Sequence, residues 1–402
     1  MRILIELYDK EPIYNYLAAA VFRPGRVYFV GDPKMLNEKC KNKTLRFARL
    51  MGLECDFVYR SAKATDFKEL CSVIGSIVSS ENQNGNSCTI DVTGGCDLAL
   101  VAAGALFGRV SEITCYDKSI NAFRLLSGGE SQELKLGIPC EAFITAAGGT
   151  VYSNTRNMDF DPKEWQIIKN ITRLFFENCD VWTSFVKYLQ RISKKEGLKV
   201  GDVLFIKAPL SLSEGSKTFS CNEDIMQGLE RAGAISSLRI LRSEKRVEFK
   251  FASSEIANLL VNEGVWLEMA VYMVANEMPG FFEAHTGVKF VWDIPDGKKT
   301  LSGILSDNVP RNEVDVVLSR GVSPVFISCK TRFPTNEDLN ELYAIKENFG
   351  GELAFAIMAT TKYVASDSPI YERAKAMGIG FIDERNFKNE TVAERLLKLT
   401  GG

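Results

Sequence analysis

The chain has 402 residues, of which 46% are hydrophobic and 25% charged, with 49 lysines and arginines against 51 aspartates and glutamates. Such a composition excludes a disordered chain, and the length suits two or three domains at about 150 residues each. Near-neutral charge excludes a surface that is basic all round, so any nucleic-acid site must be local.

The longest nearly apolar run, 98–107, is about half of the roughly 20 residues needed to cross a bilayer. The chain opens on the strand-like Arg2-Ile3-Leu4-Ile5-Glu6-Leu7 rather than on a leader. The expectation is a cytoplasmic protein with no membrane partner. Ten cysteines are scattered from position 40 to 329 without a CxxC pair, which excludes zinc ribbons, knuckles and CxxC redox motifs. Scattered thiols read most simply as small buried hydrophobes. There is one histidine, His285, so any histidine chemistry must use it. Its simplest reading is an ordinary loop or strand-edge residue.

Strand-like runs at 2–7, 26–31, 55–59, 88–92 and 112–116 alternate with amphipathic stretches at 11–21, 33–51, 66–79 and 97–107. Alternation of this kind predicts an α/β domain over 1–150, a Rossmann-like parallel sheet covered on both faces. Segments 122–126 and 141–146 are expected to form a hairpin at its edge.

Residues 151–262 form a second region, with helices at 165–176 and 181–195. A helical turn at 228–232, a hairpin of 238–241 with 246–251 and a helix at 254–261 predict a small winged-helix-like module. Its hairpin carries Arg239, Arg242, Lys245, Arg246 and Lys250 between apolar residues. A solvated hairpin with one wet face is the simple reading, and a nucleic-acid contact is the other.

Residues 263–402 change pattern again. A helix at 265–278 stopped by Pro279 precedes strands at 287–292, 313–319 and 324–330. A helix at 336–349, a strand at 353–359, a helix at 370–377 and a strand at 380–382 follow.

Two motifs carry chemistry. The first is Ile90-Asp91-Val92-Thr93-Gly94-Gly95-Cys96-Asp97, between a strand and a helix. Two glycines let the backbone approach an anion, and a helix N-terminus points free N–H groups at it. The turn after the first strand, with Asp9 and Lys10, ends on the same sheet edge, where α/β folds bind ligands. Neither GxGxxG nor GxxxxGK[ST] is present, so conventional dinucleotide and P-loop sites are unsupported.

The second motif is Asn312-Glu313-Val314-Asp315-Val316-Val317 followed by Phe326-Ile327-Ser328-Cys329-Lys330. Strand alternation places Glu313 with Asp315 on one face, and Ser328 with Lys330 on one face. A carboxylate that holds a hard divalent cation beside a lysine that orients water is how a metal nuclease attacks a phosphodiester. Glu268 adds a carboxylate on the preceding helix.

With Gly264-Val265-Trp266-Leu267-Glu268, the second motif resembles the PD-(D/E)xK restriction-endonuclease-like fold. The strand–TGG–helix unit resembles CARF (CRISPR-associated Rossmann fold) domains. In combination the chain resembles the CARF–PD-(D/E)xK nucleases of type III CRISPR defence. That resemblance implies a homodimer that binds cyclic oligoadenylate, expected to be cyclic tetra-adenylate. It further implies that the ligand-bound dimer cuts DNA or RNA with Mg²⁺ or Mn²⁺. It implies metal ligation by Asp315, Glu268 and Glu313, and water orientation by Lys330. Thr93, Gly94, Gly95 and Cys96, with Asp9 and Lys10, would contact the nucleotide. Ser328 stands where the motif has Asp or Glu, so Glu313 or a water held by Ser328 must serve instead. Cys96-Asp97 stands where many relatives have Thr-Lys. CARF proteins with HEPN domains use Arg-x4–6-His, but Met278, Pro279 and Gly280 occupy those places before His285. The alternative function is a CARF-type transcription regulator that binds DNA through the middle region and carries a degenerate nuclease fold.

Overall fold

The opening strands are mostly apolar because both of their faces are covered. β1 (Arg2–Leu7) and β2 (Arg26–Gly31) bury nearly every residue, as strands of a covered parallel sheet do. A computed structural model of the chain describes residues 1–154, 160–200, 203–292 and 311–401. Between and after these strands come α1 (Tyr14–Phe22), α2 (Glu38–Met51), β3 (Asp56–Ser61), α3 (Phe67–Gln83), β4 (Ser87–Asp91), α4 (Asp97–Gly104) and β5 (Glu112–Asp117). With β6 (Ala122–Leu125) and β7 (Glu130–Glu133) they form a sheet in the order β3-β2-β1-β4-β5-β6-β7. Strands β1 to β5 are parallel, and β6 and β7 are antiparallel additions. Strand alternation divides the core: Leu4 and Phe29 pack with Tyr16 and Phe47 on one face. Ile3, Ile5 and Ile90 pack with Ile74 and Ala102 on the other.

The expected edge hairpin is half right. β6 pairs with β7, whereas the 141–146 segment is helical, forming α5 (Cys140–Ala146) behind Pro139. A short apolar run does not distinguish strand from buried helix by period; here Pro139 starts a helix and its alanines favour one. β8 (Gly149–Asn154) follows.

The middle region begins with α6 (Pro162–Glu177). Asp161 caps it by accepting the Lys163 and Glu164 amides at 2.8 Å each, with Pro162 in the first turn. Next come α7 (Cys179–Glu196), β9 (Gly197–Val200), β10 (Val203–Pro209), β11 (Ser211–Glu214), β12 (Lys217–Ser220), α8 (Glu223–Arg231), β13 (Ile235–Leu241), β14 (Arg246–Phe251), α9 (Ser254–Leu260) and α10 (Val265–Glu277). The β13–β14 hairpin forms where the sequence places it, and β10 and β9 extend it into the order β13-β14-β10-β9.

The last region runs β15 (Glu283–Trp292), β16 (Arg311–Arg320), β17 (Ser323–Lys330), α11 (Asn336–Phe349), β18 (Phe355–Thr360), α12 (Pro369–Ala376) and β19 (Ile379–Ile382). The short helices α13 (Glu384–Lys388) and α14 (Val392–Leu399) end it. The succession of helix, three strands, helix, strand is the one expected. Its sheet has the order β19-β18-β17-β16-β15-β8. By contact density the chain divides into two units. The first is Met1–Thr155, Pro279–Phe326 and Asn340–Ala356, and the second Arg156–Met278, Ile327–Leu339 and Ile357–Gly402. No helix among the described residues is long and apolar enough to cross a membrane.

Candidate functional site

In the parallel sheet the strand order reverses between β1 and β4, which opens a crevice at their carboxyl ends. The loops after these two strands close on each other there. Gly95 donates its amide to Asp9 Oδ2 at 2.7 Å, and the Glu11 amide donates to Asp9 Oδ1 at 2.8 Å. The glycines are required by this approach. A Cβ on Gly94 would lie 2.7 Å from Asp9 Cβ, and Gly95 has φ +99° with its Cβ position 2.7 Å from Leu7 Cβ.

Asn15, fully buried on α1, holds the Asp9 loop. Its Oδ1 accepts the Asp9 amide at 2.7 Å, and its Nδ2 faces the Asp9, Glu11 and Pro12 carbonyls at 3.0, 3.2 and 3.3 Å. Thr93 is stitched from both sides: its hydroxyl donates to Asp91 Oδ1 at 2.7 Å and accepts the Tyr116 amide at 2.8 Å. The Cys96 thiol donates to the Ala64 carbonyl at 3.5 Å. Lys10 is exposed at the mouth. Of the predicted sensor residues, then, Asp9 and Gly95 are hydrogen-bonded, Gly94 lies against Asp9, Thr93 is tied to Asp91 and Tyr116, and Cys96 and Lys10 line the same opening.

Two cavities flank these residues. One of about 270 Å³ is lined by Asp9, Gly31, Asp32, Ala62, Gly95 and Cys96. Its neighbour, about 410 Å³, is walled by Tyr8, Lys10, Lys39, Lys43, Arg46 and Trp292. Lys39, Lys43 and Arg46 fall at i, i+4 and i+7 on one face of α2, so the helix presents a cationic stripe. Lys43 Nζ lies 5.6 Å from the Tyr8 ring, and Arg46 donates to the Gly149 carbonyl at 2.9 Å. The stripe was readable in the spacing of Lys39, Lys43 and Arg46. Nothing in the sequence singles out Asn15.

Beneath the loops lie two fully buried acids, Glu6 and Asp91, opposite each other in the β1–β4 register. Burial raises the Glu6 pKa well above the carboxylate range, reinforced by the charge of Asp91. Burial likewise pushes Asp91 up to about 7, against the lowering effect of its bonds from Thr93.

The residues of the second motif lie on the expected elements. Glu313 and Asp315 share one face of β16, between the buried Val314 and Val316 of the other. Glu313 pairs across the ladder with Lys289 on β15, at 3.4 Å. Both carboxylates are hard oxygen donors, the type suited to Mg²⁺ or Mn²⁺. In the second unit, Ser328 and Lys330 alternate on β17, and Glu268 stands half-buried in the first turn of α10 between buried Leu267 and Met269. Of the basic residues that flank the second motif, Arg332 is bound bidentately by Asp338 at 2.7 and 2.9 Å. Lys298 and Lys299 lie outside the described residues.

On the hairpin of the middle region, Arg242 pairs with Glu223 at 2.6 Å. Arg246 pairs with Glu244 and Glu248 at 2.8 and 3.1 Å. These acids favour the solvated-hairpin reading. Cys40, Cys88 and Cys140 are buried and the other cysteines only partly so, which narrows the expectation of uniformly buried thiols.

Sheet order, switch-point crevice and the appended sheet define a mixed α/β protein with a Rossmann-like domain at its N-terminal end. No family model matches the chain, and no curated protein matches its sequence. Its fold is nevertheless similar to solved structures. Protein VC1899 from Vibrio cholerae superposes with a TM-score of 0.76 at 16% identity, over 100% of this chain and 99% of that one. Can2 from Sulfobacillus thermosulfidooxidans, in complex with cyclic tetra-adenylate, superposes with a TM-score of 0.66 at 17% identity over 100% of both chains.

Proposed function

We propose that the chain is a cyclic tetra-adenylate receptor of type III CRISPR defence, and that ligand controls a metal-dependent nuclease in its C-terminal region. The observation that carries the first half is the switch-point crevice, where the Asp9–Gly95 tie shapes a glycine loop beside the α2 cations. Cyclic tetra-adenylate offers four phosphates and four bases. With the Gly95 amide held by Asp9 and the Thr93 amide by Asp91, Gly94 and Cys96 are the loop amides offered to a phosphate, and Lys10, Lys39, Lys43 and Arg46 supply positive charge around it. Asp9 acts through the loop: its carboxylate holds Gly95 and Glu11 rather than facing a polyanion. The fold shared with Can2, itself bound to cyclic tetra-adenylate, supports the choice of ligand.

For the second half, Asp315 and Glu313 on one strand face, with Glu268, are the oxygen donors of the proposed metal site. Bound there, Mg²⁺ or Mn²⁺ supplies charge neutralisation at the scissile phosphate. Lys330 orients the attacking water and meets the developing negative charge. Ser328 offers a hydroxyl where a carboxylate is usual, so Glu313 must leave Lys289 to serve as a ligand. Two chains share the ring-shaped ligand in this reading. Activation requires that ligand prefer the arrangement in which the nuclease engages substrate. The regulator reading is weaker, because Arg242 and Arg246 are already matched by acids.

The deciding experiment is cleavage of labelled single-stranded RNA, single-stranded DNA and supercoiled plasmid, with and without cyclic tetra-adenylate, in Mn²⁺ or EDTA. Cutting that needs both ligand and metal is the expected outcome. Tight ligand binding with no cutting of any substrate would overturn the nuclease half alone.

A further inference from the structure

Outside these sites, one cluster brings together three donor atoms of different chemistry. Sγ of Cys140, a carboxylate oxygen of Glu283 and an imidazole nitrogen of His285 all lie within 4.8 Å of one another. His285 Nε2 is 2.8 Å from Glu283 Oε1. The other Glu283 oxygen accepts the Cys140 backbone amide at 2.6 Å. The Cys140 sulfur also lies 3.6 Å from the Val317 carbonyl oxygen. Cys140 is 2% exposed, the His285 side chain 12% and the Glu283 side chain 32%, so the cluster is buried at the sulfur and open at the carboxylate.

This convergence comes from two elements of the first unit. Glu283 and His285 are two apart on β15 and therefore share a face. Cys140 is the first residue of α5, the segment that folds as a helix rather than a strand. As a helix, it brings its first residue to β15. His285, expected to be an ordinary edge residue, is thus held between a carboxylate and a thiol.

We propose that Cys140, Glu283 and His285 form a binding site for zinc, separate from the proposed nuclease metal site. Thiolate, imidazole and carboxylate together suit Zn²⁺, whereas Mg²⁺ and Mn²⁺ favour oxygen donors alone. Zinc bonds of about 2.0–2.3 Å in a tetrahedron set neighbouring donors about 3.3–3.6 Å apart. The present spacing needs only small side-chain rotations to reach that. On binding, the Cys140 thiol releases its proton to solvent, the proton on His285 Nε2 passes through solvent to Nδ1, and the hydrogen bond between Glu283 and His285 is exchanged for two bonds to the ion. The Cys140 amide on the second Glu283 oxygen keeps the carboxylate in place, the role an outer-shell partner plays in metal sites. Water takes the fourth position. The ion would fasten α5 to β15, tying the end of the N-terminal domain to the sheet that carries Glu313 and Asp315.

The test is metal content and cobalt spectroscopy of the purified full chain. After loading with Zn²⁺ and desalting, about one zinc per chain should remain by mass spectrometry. Cys140→Ser and His285→Gln should each retain less than about a tenth of that, and Asp315→Asn should retain all of it. Co²⁺ in place of zinc should give intense thiolate-to-cobalt absorption in the near ultraviolet, absent in Cys140→Ser. If the wild-type chain retains no zinc, or its cobalt form lacks the thiolate band, the proposal is overturned. Unchanged zinc in Cys140→Ser overturns it too. Should either variant not fold, the two wild-type measurements decide alone.

Discussion

Asp9 and Gly95 are 86 positions apart in the chain, yet the Asp9 carboxylate accepts the Gly95 amide at 2.7 Å. That bond joins the loop after β1 to the loop after β4 and fixes the floor of the crevice. The same carboxylate accepts the Glu11 amide through its other oxygen, so one side chain sets both loop conformations. A charge-assisted bond of this kind contributes about 1.5–3 kcal/mol. Asp9→Ala should therefore weaken binding of cyclic tetra-adenylate roughly 10- to 100-fold by calorimetry. Asp9→Asn keeps an acceptor for only one of the two amides and should fall between. Equal affinity in all three proteins would mean that the loops hold their shape without Asp9.

Gly94 tests the same floor from the other side. An added Cβ would meet Asp9 Cβ at 2.7 Å, well inside contact distance. Gly94→Ala should push the two loops apart, lower stability by about 1–3 kcal/mol in urea unfolding and weaken ligand binding at least as much as Asp9→Ala. Gly104→Ala, whose added Cβ meets nothing within 4 Å, is the matched control and should bind like wild type.

The α2 stripe predicts a salt-dependent component. Lys39 is exposed and Lys43 half-buried beside the Tyr8 ring. Reversing either charge should cost roughly 10-fold in affinity, about 1.4 kcal/mol, and flatten the dependence of binding on salt. An unchanged salt slope would remove Lys39 and Lys43 from the phosphate-facing wall.

How much of this was legible in the sequence depends on the range of the contacts. The parallel sheet was readable because β1 and β2 are mostly apolar and the strand-like runs are separated by helical spacing. The TGG loop was readable because glycine types are diagnostic where backbones approach closely. The 140–146 helix was not, since five apolar residues in a seven-residue segment fit either period and only Pro139 and the alanines decide. The Cys140–Glu283–His285 cluster was not, because it depends on which face a helix turns toward a distant strand, and the Asn15 clamp was not, because its partners are backbone groups of the preceding loop that no residue type marks. The α2 stripe was present as Lys39, Lys43 and Arg46 at helical spacing, but a lysine run is usually a solvated face. Only the cavity gives it a use.

Separating the proposed sensor and nuclease roles needs a substitution outside the residues that line the crevice. Lys330→Ala should leave cyclic tetra-adenylate affinity within about twofold and lower ligand-stimulated cleavage by at least about 100-fold. Glu313 gives a subtler readout, since it is paired with Lys289 at 3.4 Å. If Glu313 moves to the metal, Lys289→Ala should raise its availability and lower the Mn²⁺ concentration needed for half-maximal cutting. A higher Mn²⁺ requirement would instead assign the pair a structural role.

The buried acids predict a pH dependence of stability with a definite direction. Asp91 titrates near 7 in the folded chain because burial disfavours its charge, against about 3.9 when unfolded. A group whose folded pKa is raised holds its proton more tightly when folded. Its contribution is therefore fully present below about pH 4 and is lost as pH rises through 7. Asp91→Asn keeps an oxygen to accept from Thr93 and cannot ionise. Compared by urea unfolding, wild type should lose roughly 2–3 kcal/mol relative to Asp91→Asn between pH 5 and pH 8. Glu6, directly opposite, is shifted in the same direction by burial and is present in both proteins, so the comparison with Asp91→Asn isolates the Asp91 contribution. Because Thr93 donates to the ionising carboxylate, the glycine loop should loosen or tighten with the same titration. Amide exchange at Thr93 and Gly95 is the readout: faster exchange in wild type above pH 7, but not in Asp91→Asn after correction for intrinsic rates, ties the buried pair to the sensor loop. Parallel behaviour in the two proteins would confine the effect to global stability.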